Sequence, residues 1–192
     1  MPRISYYPVE RLEDAEMRGY LEHAARFGTP RPESQAVRAH VPAVLRSFSR
    51  NWQLSFREGV MDHAIKELCR LYVSKSVECD YCGQQRSVSA REQGVGESDV
   101  DELLEFEGSD RYDERQKAAL AYASALVWAP HEADDALWDR LRAYFTDDQI
   151  LELGYFVGLT FGQQRWIPTL DIGHRELLDR SDAGLAPDVA RA

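Results

Sequence analysis

Cys79 and Cys82 form a CxxC pair in the stretch Val77-Glu-Cys-Asp-Tyr-Cys-Gly-Gln-Gln-Arg86. The 192-residue chain has three cysteines. A pair at this spacing is therefore a candidate for thiol chemistry rather than for stapling a fold. Cysteines three positions apart share one side of a helical turn, with Cα atoms about 5–6 Å apart, which suits a disulfide. If a helix opens near Cys79 or Asp80, its unpaired N–H groups favour the nucleophilic thiolate. Glu78 and Asp80 oppose this, because nearby negative charge raises a thiol pKa. Arg86, one turn beyond Cys82, offsets them.

Glu67 is the second notable residue. It lies twelve positions before Cys79, on a segment that is apolar nearly all round. A carboxylate there is costly unless it has a partner or a purpose. A buried carboxyl has a raised pKa and can exchange a proton near neutral pH; Arg70 and Arg86 are the candidate ion-pair partners. A zinc site needs four ligands, and there is no second CxxC or close His pair. A thioredoxin-type pair would follow a strand. Cys69 reads as core. No motif implies a metal or other cofactor.

The net charge is −10 and the pI about 5.0, with 29% charged residues. That balance disfavours nucleic acid and anionic membrane surfaces, which need clustered Lys and Arg. The N-terminus, Met-Pro-Arg-Ile-Ser-Tyr-Tyr, has no apolar run and does not read as a signal peptide. No stretch has the length to cross a bilayer. The expected location is the cytoplasm, where vicinal thiols are redox-active or metal-binding.

The elements that must position these residues all have helical period, and no strand pattern appears. Helices are expected over about Val9–Phe27 (Leu12, Ala15, Glu16, Gly19 and Ala24 inward), Val41–Phe56, Asp62–Val77, from the cysteines to Gln93, Ala118–Trp128, Ala133–Phe145 and Ile150–Phe161. A last helix ends near Leu178. Ile65, Leu68, Cys69 and Tyr72 make the Asp62–Val77 helix the central one. Asp113 to Gln116 and Thr146 to Gln149 have capping-box spacing. The reading is an all-α domain of roughly eight to ten helices: residues 1–40 as a helical arm, 41–178 as the main domain, 179–192 as a flexible tail. Gly83-Gln-Gln-Arg86 recurs as Gly162-Gln-Gln-Arg165, a hint of duplication.

A helical Glu followed twelve residues later by a CxxC that opens the next helix resembles the AhpD-like alkylhydroperoxidase and carboxymuconolactone decarboxylase superfamily. The resemblance is best from about His40 to Gly94 and extends through Asp113–Ile172. It implies an all-α homo-oligomer, a trimer or hexamer. It also implies a peroxidatic Cys82, a resolving Cys79, Glu67 at the start of a proton relay, and an external dithiol as reductant. The family motif places a His where this chain has Arg86, a residue that does not exchange protons near neutral pH. Tyr81, or a His such as His40 or His174, is the candidate substitute. The reading is a thiol-dependent peroxidase acting on a hydroperoxide or another small molecule. Two alternatives stand beside it. One is a decarboxylase-like enzyme with Arg86 anchoring a substrate carboxylate; the other is a non-catalytic redox-sensing oligomer.

Overall fold

The apolar segment around Glu67 folds as the helix His63–Ser76, and the core is built round it. The structure is a computed structural model that describes residues 2–177 and 182–190. In chain order the helices are α1 (Ala15–Phe27), α2 (Pro32–Arg38), α3 (Pro42–Trp52), α4 (His63–Ser76), α5 (Asp80–Gly83), α6 (Val88–Glu92), α7 (Ser98–Asp101), α8 (Glu114–Trp128), α9 (Asp135–Arg142), α10 (Asp147–Trp166) and α11 (Pro187–Ala190). No strand occurs among the described residues. The all-α expectation holds.

Helices α4, α8 and α10 pack against one another. Ile65, Leu68, Cys69, Leu71, Tyr72 and Val73 are all buried. Such a helix must also bury its polar positions, and it does so in pairs. Lys66 meets Glu152 of α10 at 2.7 Å, and Glu67 meets Arg70 at 2.6 Å. Helices α8 and α10 both start on the expected capping boxes, from Asp113 and Thr146.

Several boundaries differ from the sequence reading. The first helix begins at Ala15, capped by Asp14, and Val9–Arg11 is a separate 3-10 turn. Its buried face is Met17, Leu21 and Ala24; Ala15, Glu16 and Gly19 are exposed. The segment after the cysteines is two short helices, because Ser87 leaves the helical path to cap α6 through Ala90 N–H. The first Gly-Gln-Gln-Arg therefore runs off the end of α5, whereas the second lies inside α10. After Trp166 the chain makes only the 3-10 turn Ile167–Leu170, so the expected last helix is absent up to residue 177.

Within the segment expected as an arm, α2 packs into the protein. Every residue of α2 is buried. Of the expected flexible tail, 182–190 falls within the described residues, and it is docked. Gly184 and Gln84 carbonyls accept from Arg86 and Ala186 N–H at 2.6 and 2.8 Å, and Leu185 is buried. Gly28 and Gly184 meet there backbone to backbone. A Cβ on Gly28 would lie 2.3 Å from Gly184 Cα, so both positions need glycine.

Lys66 is fully buried, and its ammonium is held by Glu152 and the Glu58 carbonyl. Removing the carboxylate leaves a buried charge unpaired. Glu152→Ala is expected to cost about 3 kcal/mol in urea unfolding. The double variant Lys66→Met/Glu152→Leu should recover most of that loss.

Candidate active site

Cys79 and Cys82 are joined by a disulfide with Cα atoms 5.2 Å apart. Glu78 ends α4 with a left-handed φ of 54°, which turns the chain so that Cys79 caps α5. That helix is only four residues long, so its dipole is far weaker than a full helix would give. Glu78 and Asp80 point to solvent, while both cysteines are buried with Val37, Tyr81, Ile167 and Leu170.

Cys82, but not Cys79, lines a cavity of about 40 Å³, room for a few waters or one end of a small molecule. Helix α2 supplies Ser34 and Arg38 to its wall, α3 supplies Phe48 and Trp52, and α10 supplies Thr160 and Gln164. Among the described residues, no three His, Cys, Asp or Glu side chains converge to hold a metal ion.

Glu67 is 1% exposed and both its oxygens are engaged. Arg70 donates Nε–H to one oxygen at 2.6 Å and Nη2–H to the other at 2.9 Å. Ser87 N–H donates to the second oxygen at 2.7 Å. Arg70 then reaches the CxxC segment itself, donating to the Cys82 carbonyl at 3.0 Å and the Gln85 carbonyl at 2.7 Å. Glu67 thus meets the cysteines through Arg70. Arg86 turns the other way. Its Nη2 pairs with Glu97 at 2.8 Å, and its Nη1 donates to the Gly83 and Gln85 carbonyls. It is absent from the cavity wall.

Tyr81 is buried, with its hydroxyl 3.4 Å from Glu33. Burial, and then the Glu33 charge, push its phenol well above the usual value. His174 stacks on the Tyr81 ring at 4.2 Å and donates Nε2–H to the Tyr81 carbonyl at 3.1 Å. His40 is exposed and bonded to the Ser5 carbonyl at 2.7 Å; it does not line the cavity. Cys69 is core, and burial raises its thiol pKa.

Sequence reasoning missed His63, Ser87 and Arg38. His63 lies one helical turn before Glu67, a spacing that could have flagged it. Its Nδ1–H donates to the Phe56 carbonyl at 2.8 Å, so Nε2 accepts from the Ser87 hydroxyl at 2.8 Å. Burial lowers its pKa and keeps it neutral. Arg38 carried no signal, because its place depends on how α2 packs. For Gln164 the signal was the repeated Gly-Gln-Gln-Arg.

Residues 42–125 match the Carboxymuconolactone decarboxylase family. The uncharacterized protein Rv2313c of Mycobacterium tuberculosis is 38% identical over 100 residues, 52% of this chain and 35% of that protein. The chain therefore spans about a third of the length of that relative. An uncharacterized peroxidase-related protein of Ralstonia eutropha with an alkylhydroperoxidase AhpD core superposes with a TM-score of 0.73 at 18% identity, covering 90% of this chain and 91% of that one. The debrominase Bmp8 superposes with a TM-score of 0.72 at 20% identity over 89% and 91%, and one of its structures holds 2,3,4-tribromopyrrole. These two likenesses are of fold. The resemblance read from the sequence holds: the fold is AhpD-like, with the family match across α3 to α8.

Burial, and then the charge of Arg31, pull His174 down to about 4, against about 6.5 unfolded. Burial brings His23 to about 4 as well. Between these pH values the unfolded chain binds protons that the folded chain refuses, so stability falls as pH falls from about 6.5 to 4. His174→Phe keeps a ring against Tyr81 and removes one such group. Urea melts should show a shallower loss between pH 7 and 5 than in the unsubstituted protein.

Proposed function

From the AhpD-like fold and the family match over residues 42–125, we propose that the protein is a thiol-dependent oxidoreductase of the alkylhydroperoxidase type. The observation that carries this reading is the Cys79–Cys82 disulfide with Cys82 alone of the pair on the cavity. Cys82 is the attacking thiol. Its thiolate forms an S–O bond to one peroxide oxygen while the O–O bond breaks, and the thiol proton ends on the departing alkoxide. The Cys82 sulfenic acid condenses with the Cys79 thiol, releasing water and forming the disulfide. An external dithiol returns two electrons and two protons by exchange. Such a cycle needs a reducing compartment such as the cytoplasm.

In this reading Glu67 is a positioning residue. It holds Arg70, whose N–H groups fix the Cys82 and Gln85 carbonyls. Arg86 is committed to Glu97, while Arg38, Arg70, Thr160 and Gln164 share the cavity wall with Cys82. The same dithiol can reduce a carbon–halogen bond: carbon gains a proton, halide leaves, and the pair closes to a disulfide. The aromatic cavity wall of Phe48 and Trp52 favours this second substrate class.

Reduced protein treated with stoichiometric cumene hydroperoxide should lose two thiols per chain within seconds. Cys82→Ser should abolish the loss, and Cys79→Ser should stop at a dimedone-trappable sulfenic acid. Thiol loss and bromide release with 2,3,4-tribromopyrrole but not with peroxide would move the assignment to reductive dehalogenation. Slow loss with both would remove the thiol cycle and leave the decarboxylase-like alternative, whereas rapid loss without turnover in the presence of a dithiol would point to a redox sensor.

We further propose self-association. Leu54, Val60, Leu151 and Tyr155 form an exposed apolar surface where the turn after α3 meets α10, with Leu151 76% exposed. Such a patch marks an interaction surface. Leu151→Glu should lower the mass measured by light scattering without changing the far-ultraviolet circular dichroism.

A further inference from the structure

The cavity beside Cys82 contains a positive charge that the fold does not neutralise. Five cationic side chains are buried among the described residues: Arg31, Arg38, Lys66, Arg70 and Arg86. Four of them meet a carboxylate, in Glu33, Glu152, Glu67 and Glu97 respectively. Among the described residues Arg38 meets none, although the protein carries a net charge of −10. Its hydrogen bonds go to uncharged acceptors, namely the Ser34 carbonyl at 3.0 Å, Gln35 Oε1 at 3.3 Å and Gln163 Oε1 at 2.8 Å. The Phe48 ring lies 3.8 Å from its guanidinium carbon. Burial pulls its pKa down only to about 9, so it remains a cation at neutral pH.

A buried, unpaired charge is costly to keep. Two further polar atoms of residues on the same cavity wall lack a partner: Thr160 Oγ1, and Gln164 Oε1, whose amide donates instead to the Arg70 carbonyl at 3.2 Å. The cavity thus offers a cation, a hydroxyl and an open acceptor beside a reactive sulfur. We propose that it binds the carboxylate of a small aromatic acid, anchored by Arg38. With room for one end of a small molecule, the cavity takes the carboxylate and an adjacent N–H or O–H that donates to Gln164 Oε1, and the ring extends outward past Phe48 and Trp52. This names the substrate class of the thiol enzyme, an aromatic acid that also carries the peroxide or carbon–halogen bond reduced at Cys82, and rests on that reading. In place of Arg86, which the alternative sequence reading offered as a carboxylate anchor, Arg38 takes that role, because Arg86 pairs with Glu97 and does not line the cavity.

The test uses pyrrole-2-carboxylate and its uncharged analogue pyrrole-2-carboxamide. Binding is followed by calorimetry and tryptophan fluorescence in a Cys82→Ser background, where no redox step occurs. The carboxylate should bind saturably and the amide at least about tenfold more weakly. Adding Arg38→Met should weaken the carboxylate at least about tenfold and leave the amide unchanged. Arg38→Lys, which keeps the charge but loses the fork, should fall between. Gln164→Met serves if Arg38→Met fails to fold, and it should weaken both ligands. Absent carboxylate binding, or equal binding to the Arg38 variants, overturns the proposal. So does a rise in the Cys82 thiol pKa when Arg38→Met is made alone in the reduced protein, Cys82 kept, without anion binding, which would make Arg38 the thiolate's counter-ion. Thiol loss with cumene hydroperoxide, measured separately, distinguishes the two failures. Cycling thiols without acid binding remove only the anion site, whereas acid binding without thiol cycling removes only the thiol chemistry.

Discussion

The buried ion pair of Glu67 and Arg70 on α4 is the constraint on which the site depends. A guanidinium in the core must have its N–H groups satisfied. Glu67 takes two of them, and the carbonyls of Cys82 and Gln85 take two more. The turn that carries the disulfide is thereby fixed to the central helix. The pair extends further in both directions. Ser87 N–H completes the Glu67 carboxylate and the Ser87 hydroxyl meets His63, while Gln164 of α10 donates to the Arg70 carbonyl. Half-satisfied networks of this kind are costly, and fully satisfied ones specify a unique core.

Helix α2 provides the other half of the site. Its sequence, Pro-Glu-Ser-Gln-Ala-Val-Arg, resembles a surface helix, yet each residue is buried. Burial is possible because its polar atoms have local partners. Gln35 donates to Ser49 at 2.8 Å, Ser34 donates to the Arg31 carbonyl, and Arg31 meets both Glu33 and the Ala183 carbonyl. The packing puts Arg38 against aromatic rings rather than water. The outcome is a local inversion of charge: an acidic molecule whose cavity next to the sulfur is cationic. Cations over aromatic faces are stabilised by the ring quadrupole, which offsets part of the cost of burying Arg38.

The helical class, the centrality of α4, the capping boxes that start α8 and α10, and the Cys79–Cys82 spacing were all legible along the chain. These are local properties: period, cap chemistry and spacing act within one turn of the chain. What each charge does depends on packing. Arg70 rather than Arg86 neutralises Glu67, and Arg86 goes to Glu97, eleven residues on. Helix α2 forms part of the wall of the site, and residues 184–186 dock on the CxxC turn. Which carboxylate meets which guanidinium depends on contacts between distant segments, and no spacing rule encodes those. The thiol pair could therefore be found from the sequence, while the arginine that gives its cavity a charge was visible only once α2 had packed.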